Sequence, residues 1–135
     1  EFKDMKFYFR KVEFVKSDGG QIRMVMLAKN IVKELDGQVD IFVSPNDQMG
    51  ISEEYALMVA SNSTKPLVGL GKEKGCMVSI ASDTKKNGKK AALMVKQILD
   101  GKNISEIIPV SSESTVYYNY DIAKKFNISL PVHNQ

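Results

Sequence analysis

The sequence predicts an α/β fold with a mostly parallel sheet, and three observations carry that prediction. Short continuous apolar runs bounded by turn residues recur along the chain, as in strands buried on both faces. Between them lie stretches whose apolar residues return every three or four positions, the period of an amphipathic helix. The two kinds alternate at the spacing of right-handed strand–helix–strand crossovers.

The elements follow in order. Lys6 to Val15 (KFYFRKVEFV) is rich in Phe, Tyr and Val and reads as a strand. Ser17-Asp18-Gly19-Gly20 is a turn in which Ser17 or Asp18 can cap a helix over 21–36. Met24, Leu27, Ala28, Ile31 and Leu35 fall on one face of that helix, and Gly37 stands at its stop. Val39 to Val43 is a buried-strand run ending at Ser44-Pro45-Asn46-Asp47. Ser52-Glu53-Glu54 opens a helix to Asn62 with acids where the helix dipole favours them. Pro66 to Leu70 and Met77 to Ile80 are the next strands, linked by Gly71 to Gly75.

Asp83 caps a longer helix, Thr84 to Leu99, with Gly88, Ala91, Val95, Ile98 and Leu99 inward and Gly101 as its stop. Small Gly88 and Ala91 would let it approach a sheet closely. Ile107 to Val110 and Thr115 to Tyr118 read as extended, Asp121 to Phe126 as a short helix, and Pro131 begins a tail.

Composition narrows the function. With 135 residues, 43% of them apolar and 26% charged, the chain has the make-up of a globular domain that needs no staples. A net charge of +3 is too mild to argue for nucleic acid. A single cysteine, Cys76, excludes an internal disulfide and a Cys-rich metal site; a single histidine, His133, argues against a His-dependent triad. No apolar run approaches the ~20 residues that cross a membrane, so no direct membrane insertion is expected. The spacing of Gly69, Gly71 and Gly75 fails as a dinucleotide fingerprint. No cofactor, metal or enzymatic activity is expected.

In open α/β sheets, ligands sit beyond the carboxyl ends of the strands. That rule selects the loops Ser44–Gln48, Gly71–Gly75 and Ala81–Asp83. Local roles compete at each position. Asp83 is a natural helix cap, and Asn46 and Asp47 are natural turn formers. Lysines 85, 86, 89 and 90 read as a solvated helix face.

An ordered series of motifs then resembles a known family. Val39-Asp40-Ile41-Phe42-Val43-Ser44-Pro45-Asn46-Asp47 looks like a strand and Asp/Asn loop, and Lys65-Pro66-Leu67-Val68-Gly69 like the strand after it. Lys74-Gly75, Ser79 and Asp83-x4-Gly88-Lys89 follow, then Ile98-Leu99-Asp100-Gly101-Lys102-Asn103, Ile108-Pro109-Val110, Asn119, Ala123-Lys124-Lys125 and Leu130-Pro131. Over roughly 37–132 this resembles the substrate-binding proteins of ABC transporters, of the tryptophan- and tyrosine-binding lipoprotein type.

The resemblance implies a three-layer, Rossmann-like or flavodoxin-like domain over 1–135. That domain would be the C-terminal lobe of a two-lobe, type I periplasmic-binding fold whose N-terminal lobe is missing. It implies non-enzymatic binding of an amino-acid-like solute for bacterial uptake, with an ABC permease as partner of the full-length protein. It implies an extracytoplasmic location, periplasmic or as a cell-surface lipoprotein. Ser44, Asn46, Asp47, Gly71 and Asp83 would line the ligand cleft. Where many members carry two aromatics after the aspartate, this chain has Thr84 and Lys85, so no aromatic stacking platform is expected. The alternatives are a ligand-sensing domain of a signalling protein, or a lone lobe that pairs with itself as a homodimer.

Overall fold

The computed structural model describes residues 4–14, 16–17, 19–70 and 74–132. In chain order its elements are α1 (Gly20–Leu35), β1 (Phe42–Val43), α2 (Glu53–Asn62), β2 (Leu67–Gly69), β3 (Val78–Ser82), α3 (Thr84–Leu99), a 3-10 turn (Ile104–Glu106), β4 (Ser114–Tyr118) and α4 (Tyr120–Lys125). The strands form one sheet in the order β1-β2-β3-β4. The first three are parallel and β4 runs antiparallel to β3, an arrangement common for the edge of a parallel sheet.

The core lies between α1, α2 and one face of the sheet. Ala28, Val32 and Leu35 of α1 meet Tyr55, Ala56 and Val59 of α2, and both rows close over Phe42, Leu67 and Cys76. The buried row of α1 is Met24, Ala28, Val32 and Leu35, while the expected inner residue Leu27 is exposed. A helix that packs on another helix as well as on a sheet turns an i, i+4 ridge into the contact, and this moves Val32 inward at the expense of Leu27.

Backbone geometry fixes the joints. Gly19, at φ +76°, precedes α1, whose start has no side-chain cap; Ser17 instead accepts the Gly20 N–H with its backbone carbonyl at 2.8 Å. Asp18, the other expected cap, lies outside the described residues. Ser52 caps α2 by accepting the Tyr55 N–H at 3.1 Å. Gly75 presses on α2 so closely that a Cβ there would lie 2.1 Å from the Ala56 carbonyl oxygen.

Asp36 joins the ends of α1 and α2. Its Oδ1 accepts from the Ser63 hydroxyl at 2.5 Å and from the Thr64 N–H at 2.8 Å, and its Oδ2 accepts from the Thr64 hydroxyl at 2.8 Å. The Lys125 ammonium donates to the Ala60 carbonyl, which ties α4 to α2.

Two expectations need correction. The described part of segment 6–15 forms no strand, because no neighbouring strand bonds to it and an unladdered strand is not stable in water. It is held by the Arg10–Glu34 ion pair at 3.0 Å and by Val12 against the core. Ile107–Val110, expected as extended, joins no ladder. Asn103 accepts the Ser105 N–H and turns the chain into the 3-10 turn, Ile107 follows with extended dihedrals, and Pro109 lacks the N–H a ladder needs. Finally, α3 has no buried residue, and nothing lies within 4 Å of a Cβ built on Gly88. Its half-buried positions are Asn87, Lys90, Met94 and Gln97, so it stands on a mostly polar side instead of its apolar one.

Candidate functional site

The carboxyl ends of β1 and β3 lead into two of the segments the sequence selects: Ser44–Gln48 is a loop, whereas Ala81 and Ser82 end β3 and Asp83 caps α3; of Gly71–Gly75 only residues 74 and 75 are described. The first is a compact turn. Ser44 is fully buried; its N–H donates to the Val68 carbonyl at 2.8 Å and its hydroxyl donates to the Gly50 carbonyl. Asp47 Oδ1 accepts the Gly50 N–H at 2.7 Å, and the Asp47 carbonyl accepts from Ile51 at 3.1 Å. Gly50 is pressed on Pro45, where a Cβ would sit 2.1 Å from the carbonyl oxygen. Ser44 and Asp47 therefore build this loop. Asn46 is exposed at its surface.

Tyr55 lies beneath, at the start of α2. Burial raises its phenol above the ordinary value, and the neighbouring Asp47 charge adds to the rise.

Asp83 starts α3 on the far side of the edge. Its Oδ1 accepts the Lys86 N–H at 2.9 Å, Oδ2 lies 3.8 Å from the Lys86 ammonium, and its own N–H donates to the Glu113 carbonyl at 2.9 Å. The capping role read from the sequence is thus observed. Glu113, which the sequence did not single out, organises this corner. Asn87 accepts from the Glu113 N–H at 2.8 Å, and the carboxylate pairs with Lys90 at 2.8 Å and Lys86 at 3.2 Å. Lys90 and then Lys86 hold the Glu113 carboxyl below the usual range, and Glu113 in turn raises the Lys86 ammonium. No sequence signal links positions 26 residues apart, so only folding reveals this group.

The register separates the two loops. Val43 is level with Val68, and Val68 with Val78, so Ser44 stands level with Ser79. Asp83 lies four residues further along β3, roughly 13 Å at strand rise, and two strand spacings, roughly 10 Å, across. A molecule of amino-acid size cannot touch both at once without movement of the loops. Gly71, in the loop after the middle strand, lies outside the described residues, as does His133.

A solvent-open cavity of about 550 Å³ adjoins the first loop through Gln48. It is lined also by Phe14, Lys16, Gln21 and Glu54, with Gln21 donating to Glu54 at 3.1 Å. A second, of about 420 Å³, lies by Lys74, Tyr117, Tyr118 and Asn119. Neither is lined by Ser44, Asn46, Asp47 or Asp83. Among the described residues, no group of three His, Cys, Asp or Glu side chains is placed to hold a metal, and no helix is long and apolar enough to cross a membrane.

This mostly parallel sheet is consistent with one lobe of a periplasmic-binding fold, and comparison with known proteins gives the family. The family model of the ABC transporter substrate binding protein matches residues 21–133, and the chain belongs to that family. No curated protein matches the chain.

Two solved structures share the fold. One is the ligand-free, open structure of CD0873, a substrate binding protein with adhesive properties from Clostridium difficile. It is 21% identical with a TM-score of 0.63, over 82% of this chain and 39% of that one. The other is a conserved domain protein from Vibrio cholerae, 20% identical with a TM-score of 0.58, over 79% of this chain and 38% of that one. The chain thus spans about two fifths of the length of the structures it resembles.

Proposed function

We propose that this chain is the C-terminal lobe of an extracytoplasmic, lipid-anchored solute receptor that delivers an amino-acid-like molecule to an ABC permease, without chemistry of its own. The observation that carries this reading is the family match across 21–133. The loops at one sheet edge support it, since strand ends are where such sheets take ligands.

Asn46 and Asp83 are the proposed contacts at the two ends of the edge, with Gly71 between them in strand order. Ser44 and Asp47 hold the loop that presents Asn46. Asp83 keeps part of its carboxylate available, because the Oδ2 distance to Lys86 is 3.8 Å, and that oxygen can receive a ligand ammonium. The separation of the two ends means that an amino-acid-sized ligand reaches both only if these loops move as the opposing lobe closes the cleft, shifting an open state toward a closed one.

Calorimetry on the full-length receptor with an amino-acid panel tests the reading. Asp83→Ser keeps a capping side chain and removes the charge. We expect it, and Asn46→Ala, each to weaken binding at least tenfold. Unchanged affinity in both overturns the site; no binding by any amino acid overturns the ligand class.

A further inference from the structure

The sheet has two unlike faces. Phe42, Leu67 and Ser79 share the face buried under α1 and α2. On the other, Val43, Val68, Val78 and Tyr118 stand in register across all four strands, with Ile80 opposite Val116 beside them. This strip is apolar, yet Val43 is 68% exposed, Ile80 43% and Val116 40%. Directly opposed side chains share a face, so these residues form one continuous strip, exposed at Val43, Ile80 and Val116 and half-buried at Val68, Val78 and Tyr118.

Helix α3 is uncovered in the same way. Val95, Ile98 and Leu99 lie on its exposed side, Leu99 at 80%. Its inward side carries Asn87, Lys90 and Gln97 with only Met94. An amphipathic helix normally does the reverse.

The edge of β1 is also open. Phe42 donates to Pro66 and Ser44 to Val68, so by strand alternation the Val43 N–H and carbonyl point away from β2. Segment 5–14 has strand-like sequence and sits against α1, but bonds to no strand. Phe7 and Phe9 stack on each other with ring centres 6.2 Å apart, both exposed. In the doubly wound order 2-1-3-4-5, β1, β2 and β3 take places three to five. Segment 5–14, which leads through α1 into β1, takes place two. The first place, between two and three, has no occupant among the described residues.

We infer that these three features form one docking surface for a strand–helix unit of the same polypeptide outside residues 1–135. Its strand is apolar and runs parallel between β1 and segment 5–14. Its helix lays an apolar stripe on the Val43–Val68–Val78–Tyr118 strip, beside the exposed side of α3. The source is the same chain because the two structures that share this fold continue for about three fifths of their length beyond the matched part. The inference shares with the proposed function the premise of a longer chain. It goes further, because it makes this lobe itself incomplete.

Thiol labelling tests it. Val43→Cys and, separately, Val95→Cys are made in the 135-residue chain and in the full-length protein, and maleimide uptake is located by peptide mass spectrometry. Buried Cys76 reports folding by staying unlabelled. We expect both new thiols to react freely in the 135-residue chain at every concentration, and at least a hundredfold more slowly in the full-length protein. Equal reactivity in the two overturns the inference. So does protection that appears in the 135-residue chain as concentration rises, which assigns the surface to a second copy, and so does a gene product limited to these 135 residues.

Hydrogen exchange of the unsubstituted Ile41 and Val43 amides provides the same comparison without a substitution. Solute affinity measured on the same full-length sample separates the two proposals. Binding with Val43 still reactive overturns the docking surface and leaves the receptor reading standing.

Discussion

Asp36 illustrates how one side chain holds two helices. Burial alone would raise its carboxyl, but the Ser63 hydroxyl and the Thr64 hydroxyl and amide outweigh that and hold it below the ordinary carboxylate value. A group depressed in the folded state contributes stability that is present above its unfolded pKa, about 4. That stability is lost as pH falls through the lower folded value. Asp36→Asn should cost about 1–2 kcal/mol near neutrality, the range for hydrogen bonds to a charged acceptor after solvent screening. It should also flatten the acid limb of stability below about pH 4. Urea melts across that range check both; parallel curves for the two proteins would assign the clamp no role.

At the scale of elements, α3 is joined to the rest by polar ties near its start. The Asn87 side chain exchanges hydrogen bonds with the Glu113 backbone, donating to its carbonyl at 3.2 Å and accepting its N–H at 2.8 Å. With no buried apolar residue on α3, these bonds carry much of its attachment. Asn87→Ala should therefore raise hydrogen exchange along α3 while leaving α1 and α2 protected, since their contact is apolar and separate. Exchange rising equally in all three helices would contradict that division. The Glu113 ion pairs work in the same sense. Its carboxyl is held low by Lys90 and Lys86, so this tie is present above the unfolded carboxylate pKa and weakens as pH falls through the folded one.

At the scale of the molecule, the two proposals make the loops at the sheet edge half of a cleft and the open sheet face half of a core layer. The 135-residue chain should bind free solute at least tenfold more weakly than the full-length receptor, which calorimetry on both measures. A tight one-to-one complex with the monomeric chain would contradict it. The same chain should bind a hydrophobic dye such as ANS in its folded state, because apolar patches of this kind rarely stay exposed in a monomer.

The alternation of helical and strand periods was enough to place α1, α2, β2, β3, α3 and α4 to within a residue or two. Those patterns are local, set by side chains three or four positions apart or by a turn residue beside them. Asp83 as a cap, Ser52 at a helix start, and Gly101 as a stop at φ +92°, were legible for the same reason. Three things were not: the unpaired state of residues 5–14, the polar inward side of α3, and the Glu113 and Asp36 clamps. Each depends on what lies across space from it. A strand exists only when another chain segment answers its hydrogen bonds, and a helix buries its apolar stripe only when something is there to receive it. The sequence by itself determined the family and most of the elements. The tertiary structure alone decided which faces are met and which stand open, because burial is a property of pairs of surfaces.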